Sequence, residues 1–141
     1  MVVGRADNDE YYVLADYSGR YSPDAWAGKA IDAYEIHKAD RIIGEVNNGG
    51  DMVEHTLRTV RSGIPYTAVH ATRGKRIRAE PIAALYEQGK VFHAPGLNDL
   101  EEQLVSWTPD SSGSPDRLDA LVWAMTELSQ KGKPNIRWIT I

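Results

Sequence analysis

Three short apolar runs, at residues 41–46 (RIIGEV), 66–69 (YTAV) and 91–93 (VFH), are each separated from the next by a stretch long enough for a helix. This alternation restricts the fold more than any other feature of the chain. A crossover of helical length returns the backbone to the end of the sheet it left, so strands joined in this way suggest an α/β sheet with parallel members. Upstream, residues 1–3 and 11–14 are apolar and flank Asp7-Asn8-Asp9, a turn-forming cluster. That pattern predicts a hairpin over residues 1–15 and makes the sheet mixed. The expected class is α/β.

The intervening segments carry helix signals. Ser22-Pro23-Asp24 combines a hydroxyl cap, a proline at the first position and an acid at the positive end of the helix dipole. Ala27, Ile31 and Tyr34 then form one apolar face, and this helix should end near Lys38. Val53, Leu57 and Val60 repeat the spacing before Gly63 and Pro65 close it. Residues 75–88 read as helical, with a kink or restart at Pro81. Residues 98–106 read as a helix opening with Asn98 and Glu101 at capping-box spacing. After a polar loop at 108–114, a second Ser-Pro-Asp at 114–116 starts the last helix, whose core stripe is Leu118, Leu121, Val122, Met125 and Leu128. Gly132 and Pro134 end it, and residues 135–141 (NIRWITI) read as an extra strand or a tail. Without repeats or low-complexity tracts, residues 1–141 form one expected domain.

Composition narrows the chemistry. The 141 residues are 42% hydrophobic and 26% charged, enough for a core without staples. The absence of cysteine excludes disulfides, thiolate metal sites and a cysteine nucleophile. No apolar run approaches the ~18 residues of a membrane span, and residues 1–5 (MVVGR) carry no signal-peptide core. A cytoplasmic setting is expected. There is no GxxxxGK[ST] and no GxSxG, and His37, His55, His70 and His93 lack zinc spacing. The net charge of -4 weighs mildly against nucleic acid, but its distribution is uneven. Residues 71–78 (ATRGKRIR) hold Arg73, Lys75, Arg76 and Arg78 without an acid, whereas Glu45, Asp51, Asp116 and Asp119 lie elsewhere.

Glu45 follows an apolar strand and precedes Asn47-Asn48-Gly49-Gly50, where α/β proteins open the crevice that takes ligands. By position alone it is equally the solvated end of a strand. Asp116 and Asp119 are neighbours on one helix face at the helix's positive end, so they can share a cation with Glu45 or simply serve as first-turn acids. The basic segment can contact phosphates or be a solvated helix end. Trp107 and Trp123 read as core residues.

At these residues the chain resembles a known family. Residues 39–53 (ADRIIGEVNNGGDMV) are similar to the central acidic motif of phage terminase large subunits. Residues 74–89 (GKRIRAEPIAALYEQG) resemble the basic helix that follows in that family, and residues 113–124 (GSPDRLDALVWA) its closing acidic motif. Residues 12–19 with Ser22-Pro23 are similar to its second-hairpin region. The resemblance implies an RNase H-like mixed sheet flanked by helices. It implies a nuclease that cuts concatemeric double-stranded DNA with two Mg2+ or Mn2+ ions. Glu45 would be the central acid, and Asp116, Asp119 or both the closing acid, Asp116 ranking first. Arg73, Lys75, Arg76 and Arg78 would line the DNA path. The implied partners are the terminase ATPase domain, the small terminase subunit and the portal, in the host cytoplasm.

One departure accompanies the resemblance. The family's first catalytic aspartate sits on a strand upstream of the hairpin, so this chain reads as truncated at its N-terminus and lacking the ATPase motor. Asp16 lies on a different strand and is not its replacement. Two expectations follow: a catalytically incomplete remnant or fragment acting as a DNA- or partner-binding module, and a homodimer in which a partner chain covers the gap left in the sheet.

Overall fold

The computed structural model describes residues 1–46, 51–71, 74–108, 115–130 and 137–140. Its elements run β1 (Val2–Arg5), β2 (Tyr11–Ala15), α1 (Pro23–Ile36), β3 (Arg41–Glu45), α2 (Asp51–Val60), β4 (Tyr66–Val69), α3 (Lys75–Glu87), β5 (Val91–His93), α4 (Asn98–Ser106), α5 (Asp116–Gln130) and β6 (Arg137–Thr140). The strands form one sheet in the order β4-β3-β6-β1-β2-β5. β1 is antiparallel to both of its neighbours, β2 and β6, while β3 runs parallel to β4 and β6, and β2 parallel to β5. This is the mixed sheet expected from the alternation of strands and helices.

The expected gap in the sheet is not found. β6 lies between β1 and β3, with Val2 opposite Ile139 on one side and Ile42 opposite Ile139 on the other. The slot that motivated a covering partner chain is filled by the chain's own strand, so an open edge there gives no reason for a dimer.

Successive strand residues face opposite sides of a sheet, and the core divides accordingly. Val3, Val13 and Ile43 pack with Leu100 of α4 and with Leu121, Met125 and Leu128 of α5. Val2 and Ile42 face the other way, onto Ala27, Ala30, Ile31 and Ala33 of α1 and Leu57 of α2. Fully burying each of the Val, Leu, Ile and Met side chains contributes about 1.5–3 kcal/mol. At Gly44 a Cβ would come within 2.7 Å of the Tyr66 hydroxyl, so glycine is what lets that ring lie against β3.

Two local expectations change. The capping box at Asn98 is not formed: the position before α4 is Leu97, without a side-chain cap. The chain enters α4 through Gly96 at φ 89, and Leu97 turns into the core at 6% exposure, which starts the helix too early for Asn98 to stand outside it. Of the kink or restart expected at Pro81, the restart is not found: α3 runs through Pro81 to Glu87. Pro81 and Ile77 are both exposed, so water can reach the carbonyl that loses its helical donor.

Candidate functional site

Strand directions decide which residues meet. Five strands run one way and β1 runs against them, so the C-terminal ends of β2 to β6 and the start of β1 share one edge of the sheet. Glu45 is the last residue of β3 and Asp16 follows β2 directly. The start of α5 is tied to this edge because Arg117 donates from Nε to Asp16 Oδ2 at 2.8 Å. Glu45, Asp116 and Asp119, distant in sequence, therefore belong to one end of the molecule.

Glu45 is half-buried, and its Oε2 accepts a hydrogen bond of 2.9 Å from the indole Nε1 of Trp123. The Arg78 guanidinium lies over the Trp123 ring, 4.4 Å from its centroid. Nε and Nη1 of Arg78 are shielded from solvent without a hydrogen-bond partner among the described residues. The indole thus carries a cation on its face and a carboxylate at its N–H. Trp123 is a core residue as expected, but its role beside Glu45 was missed. It stands four residues after Asp119 and seven after Asp116, so helical spacing places all three on one face. That face is the signal from which the contact could have been read.

Asp119 forms a salt bridge with Lys75 at the start of α3, its side chain 15% exposed. Asp116, one turn earlier, is exposed and lines a cavity beside the β2–α1 connection. The basic segment is dispersed. Lys75 is held on Asp119, Arg78 is stacked on Trp123, and Arg76 faces solvent with Glu80 at 3.5 Å. Arg73 lies outside the described residues.

Asp16 fixes the frame. It accepts hydrogen bonds from the Ser18 backbone N–H (2.9 Å) and from Arg117, which also reaches Asp99 of α4 at 3.0 Å. Burial pushes the Asp16 carboxyl up, but the Ser18 and Arg117 hydrogen bonds outweigh it and hold the pKa below the ordinary value. A depressed folded pKa stabilises the fold above the unfolded pKa and is lost as pH falls through the folded value. Asp16→Asn should therefore lower the urea midpoint at neutral pH. The gap to wild type should narrow as pH drops below about 4. A gap that stays constant into acid would show that the contribution is not ionic.

At the far end of the same edge, His93 joins Tyr86 (Nε2 to hydroxyl, 2.7 Å) and Glu101 (Nδ1 to Oε1, 3.0 Å). Burial, aided by Glu101, raises the Tyr86 pKa, so this hydroxyl stays protonated and serves to join β5 to α3 and α4.

Carboxylates are the oxygen donors that Mg2+ and Mn2+ prefer, so the chemistry of Glu45, Asp116 and Asp119 suits such ions. Their arrangement does not. Among the described residues no three Asp, Glu, His or Cys side chains gather closely enough to hold a metal ion, and Glu45 and Asp119 are each engaged by a protein partner. Nor is any helix among the described residues long and apolar enough to cross a membrane.

No curated protein and no solved structure matches the chain. The family of the terminase RNaseH-like domain matches residues 1–128, from β1 through the core stripe of α5. That match spans both acidic motifs, the basic helix and the strands that carry them, so this chain belongs to the terminase RNase H-like nuclease domain family.

Proposed function

We propose that the chain is the metal-dependent endonuclease domain of a phage DNA-packaging terminase, hydrolysing phosphodiester bonds of concatemeric double-stranded DNA. Glu45, Asp116 and Asp119 are its contribution to the acidic centre in this reading, and Mg2+ or Mn2+ is the cofactor. The observation that carries it is the meeting of β3 and α5 at one sheet edge, where Trp123 binds Glu45 on the helix that bears both aspartates. Two-metal hydrolysis needs carboxylates beyond those the described residues bring together. Lys75, Arg76, Arg78 and Arg73 would form the DNA side of the site in this reading. The partners are the ATPase domain, the small terminase subunit and the portal, in the cytoplasm of the host cell.

Supercoiled plasmid incubated with the chain in Mn2+ or Mg2+ tests this. Wild type should nick and linearise the plasmid, and Glu45→Ala should reduce the rate by about a hundredfold or more, the scale of losing one electrostatic contributor at a reacting centre. Wild type no faster than Glu45→Ala would overturn the reading. The second reading would then lead: a DNA- or partner-binding module using the same edge. Its supporting observation is that Trp123 and Lys75 already occupy Glu45 and Asp119.

A further inference from the structure

Beside Asp116, a cavity of about 660 Å³ opens between the β2–α1 connection, α1 and the start of α5. Its volume falls within the roughly 300–1,000 Å³ of small-ligand pockets. Three aromatic side chains line it, Tyr17, Tyr21 and Trp26, together with the cations Arg20 and Lys29. Arg20 and Lys29 are exposed and form no salt bridge among the described residues, so their charges are available. Arg117, also in the wall, is neutralised by Asp16 and Asp99. The uncompensated groups are two cations and the single Asp116 carboxylate, which favours an anionic ligand.

The aromatic positions are set in advance. The Tyr17 hydroxyl is 3.1 Å from His37 Nε2, which anchors that ring to the end of α1. The Tyr21 ring lies so close to the backbone of Gly19 that a Cβ there would stand 2.7 Å from it. Glycine at position 19 thus allows a half-exposed tyrosine to fold back along the cavity rim. Aromatic rings next to unpaired cations suit a ligand with a planar base and a phosphate, because bases stack on aromatic side chains while Arg and Lys hold the backbone charge.

We propose that this cavity receives one unstacked nucleotide of a DNA strand, its base among Tyr17, Tyr21 and Trp26 and its phosphate on Arg20 and Lys29. The proposal rests on the nuclease reading of the neighbouring acids and adds to it a place where the strand leaves its stack. A free mononucleotide shares the same chemistry, and the test separates the two sources.

The experiment is fluorescence anisotropy of the full chain with a short fluorescein-labelled single-stranded oligonucleotide, in EDTA so that no cleavage intervenes. A deoxynucleoside monophosphate and a blunt duplex serve as competitors. Trp26→Leu should weaken oligonucleotide binding about tenfold, within the range of losing one stacked base. Arg20→Ala with Lys29→Ala should flatten the slope of log K against log salt by about 0.7, the share of the one phosphate they hold on a single strand. Gly19→Ala puts a methyl group against the Tyr21 ring at the cavity wall and should weaken binding in the same direction, which guards against Trp26→Leu acting through misfolding. Glu45→Gln does not touch the cavity and should bind the oligonucleotide like wild type while failing to cut plasmid. Loss of plasmid cutting with oligonucleotide binding intact thus separates the fate of the nuclease reading from that of the pocket. Binding unchanged in the Arg20/Lys29 and Gly19 variants would overturn the proposal. So would a monophosphate that competes as well as the oligonucleotide, since the ligand would then be a free nucleotide.

Discussion

A chain ending at Gln130 should lose cooperative folding. β6 is only four residues long, but it pairs on both sides: Val2, Val3 and Gly4 oppose Ile139, Trp138 and Arg137, and Arg41, Ile42 and Ile43 oppose Trp138, Ile139 and Thr140. Val2, Val3, Ile42 and Ile43 are each 0% exposed. Removing β6 leaves the facing backbone groups of two buried strands without partners, at about 1–3 kcal/mol for each group that water cannot reach. Several such groups together rival the whole stability of a domain, about 5–15 kcal/mol. The sheet would also fall into two parts, β4-β3 and β1-β2-β5, each with a raw edge prone to association. Urea titration followed by far-UV circular dichroism should show a broad transition or none, with light scattering rising. Ile139→Pro, which removes one ladder donor from a strand paired on both sides, should act in the same direction within the full chain. A truncated chain with the wild-type midpoint would mean that β6 contributes nothing to the sheet in solution.

The central place of β6 also shows where sequence reading stops. Strands β3 to β5 and helices α1 to α5 were legible because hydrophobic period, caps and breakers are local. Ser22-Pro23 and Ser114-Pro115 mark helix starts within a few residues, and the alternation of Ile42 and Ile43 between two faces follows from the pleat. Nothing within residues 135–141 distinguishes a tail from a middle strand, since its partners are residues 2–4 and 41–43. Asn98 and Glu101 kept capping-box spacing, but burial of Leu97 outweighed the hydrogen bond that a cap would supply. The acids at the candidate site were legible as types in suggestive places; their occupation was not. Lys75 and Arg78 look like free phosphate contacts until α5 brings Asp119 and Trp123 against α3.

The Trp123–Glu45 contact yields the second large effect. Trp123 is 6% exposed among Leu121, Val122, Ala124 and Met125, so Trp123→Ala should cost about 3–5 kcal/mol, as truncation of a buried aromatic does. Most of that is packing, together with the loss of the ring beneath Arg78. Trp123→Phe separates the two contributions: it keeps an aromatic face for Arg78 and much of the buried area but removes the only hydrogen that the side chain donates to Glu45. A hydrogen bond to a charged group contributes about 1.5–3 kcal/mol when buried, and Glu45 is half-buried, so a smaller loss of about 1 kcal/mol is expected. If Glu45 acts in cleavage, the Phe variant should also cut plasmid about tenfold more slowly while remaining folded, because the carboxylate loses the contact that orients it. The cycle with Glu45→Ala, which removes the acceptor, is decisive. The two substitutions share one hydrogen bond, so their effects on the urea midpoint should fall short of additive by about 0.5 kcal/mol or more. Strict additivity would mean that the indole and the carboxylate do not meet in solution, and the orienting role of Trp123 would fall with that contact.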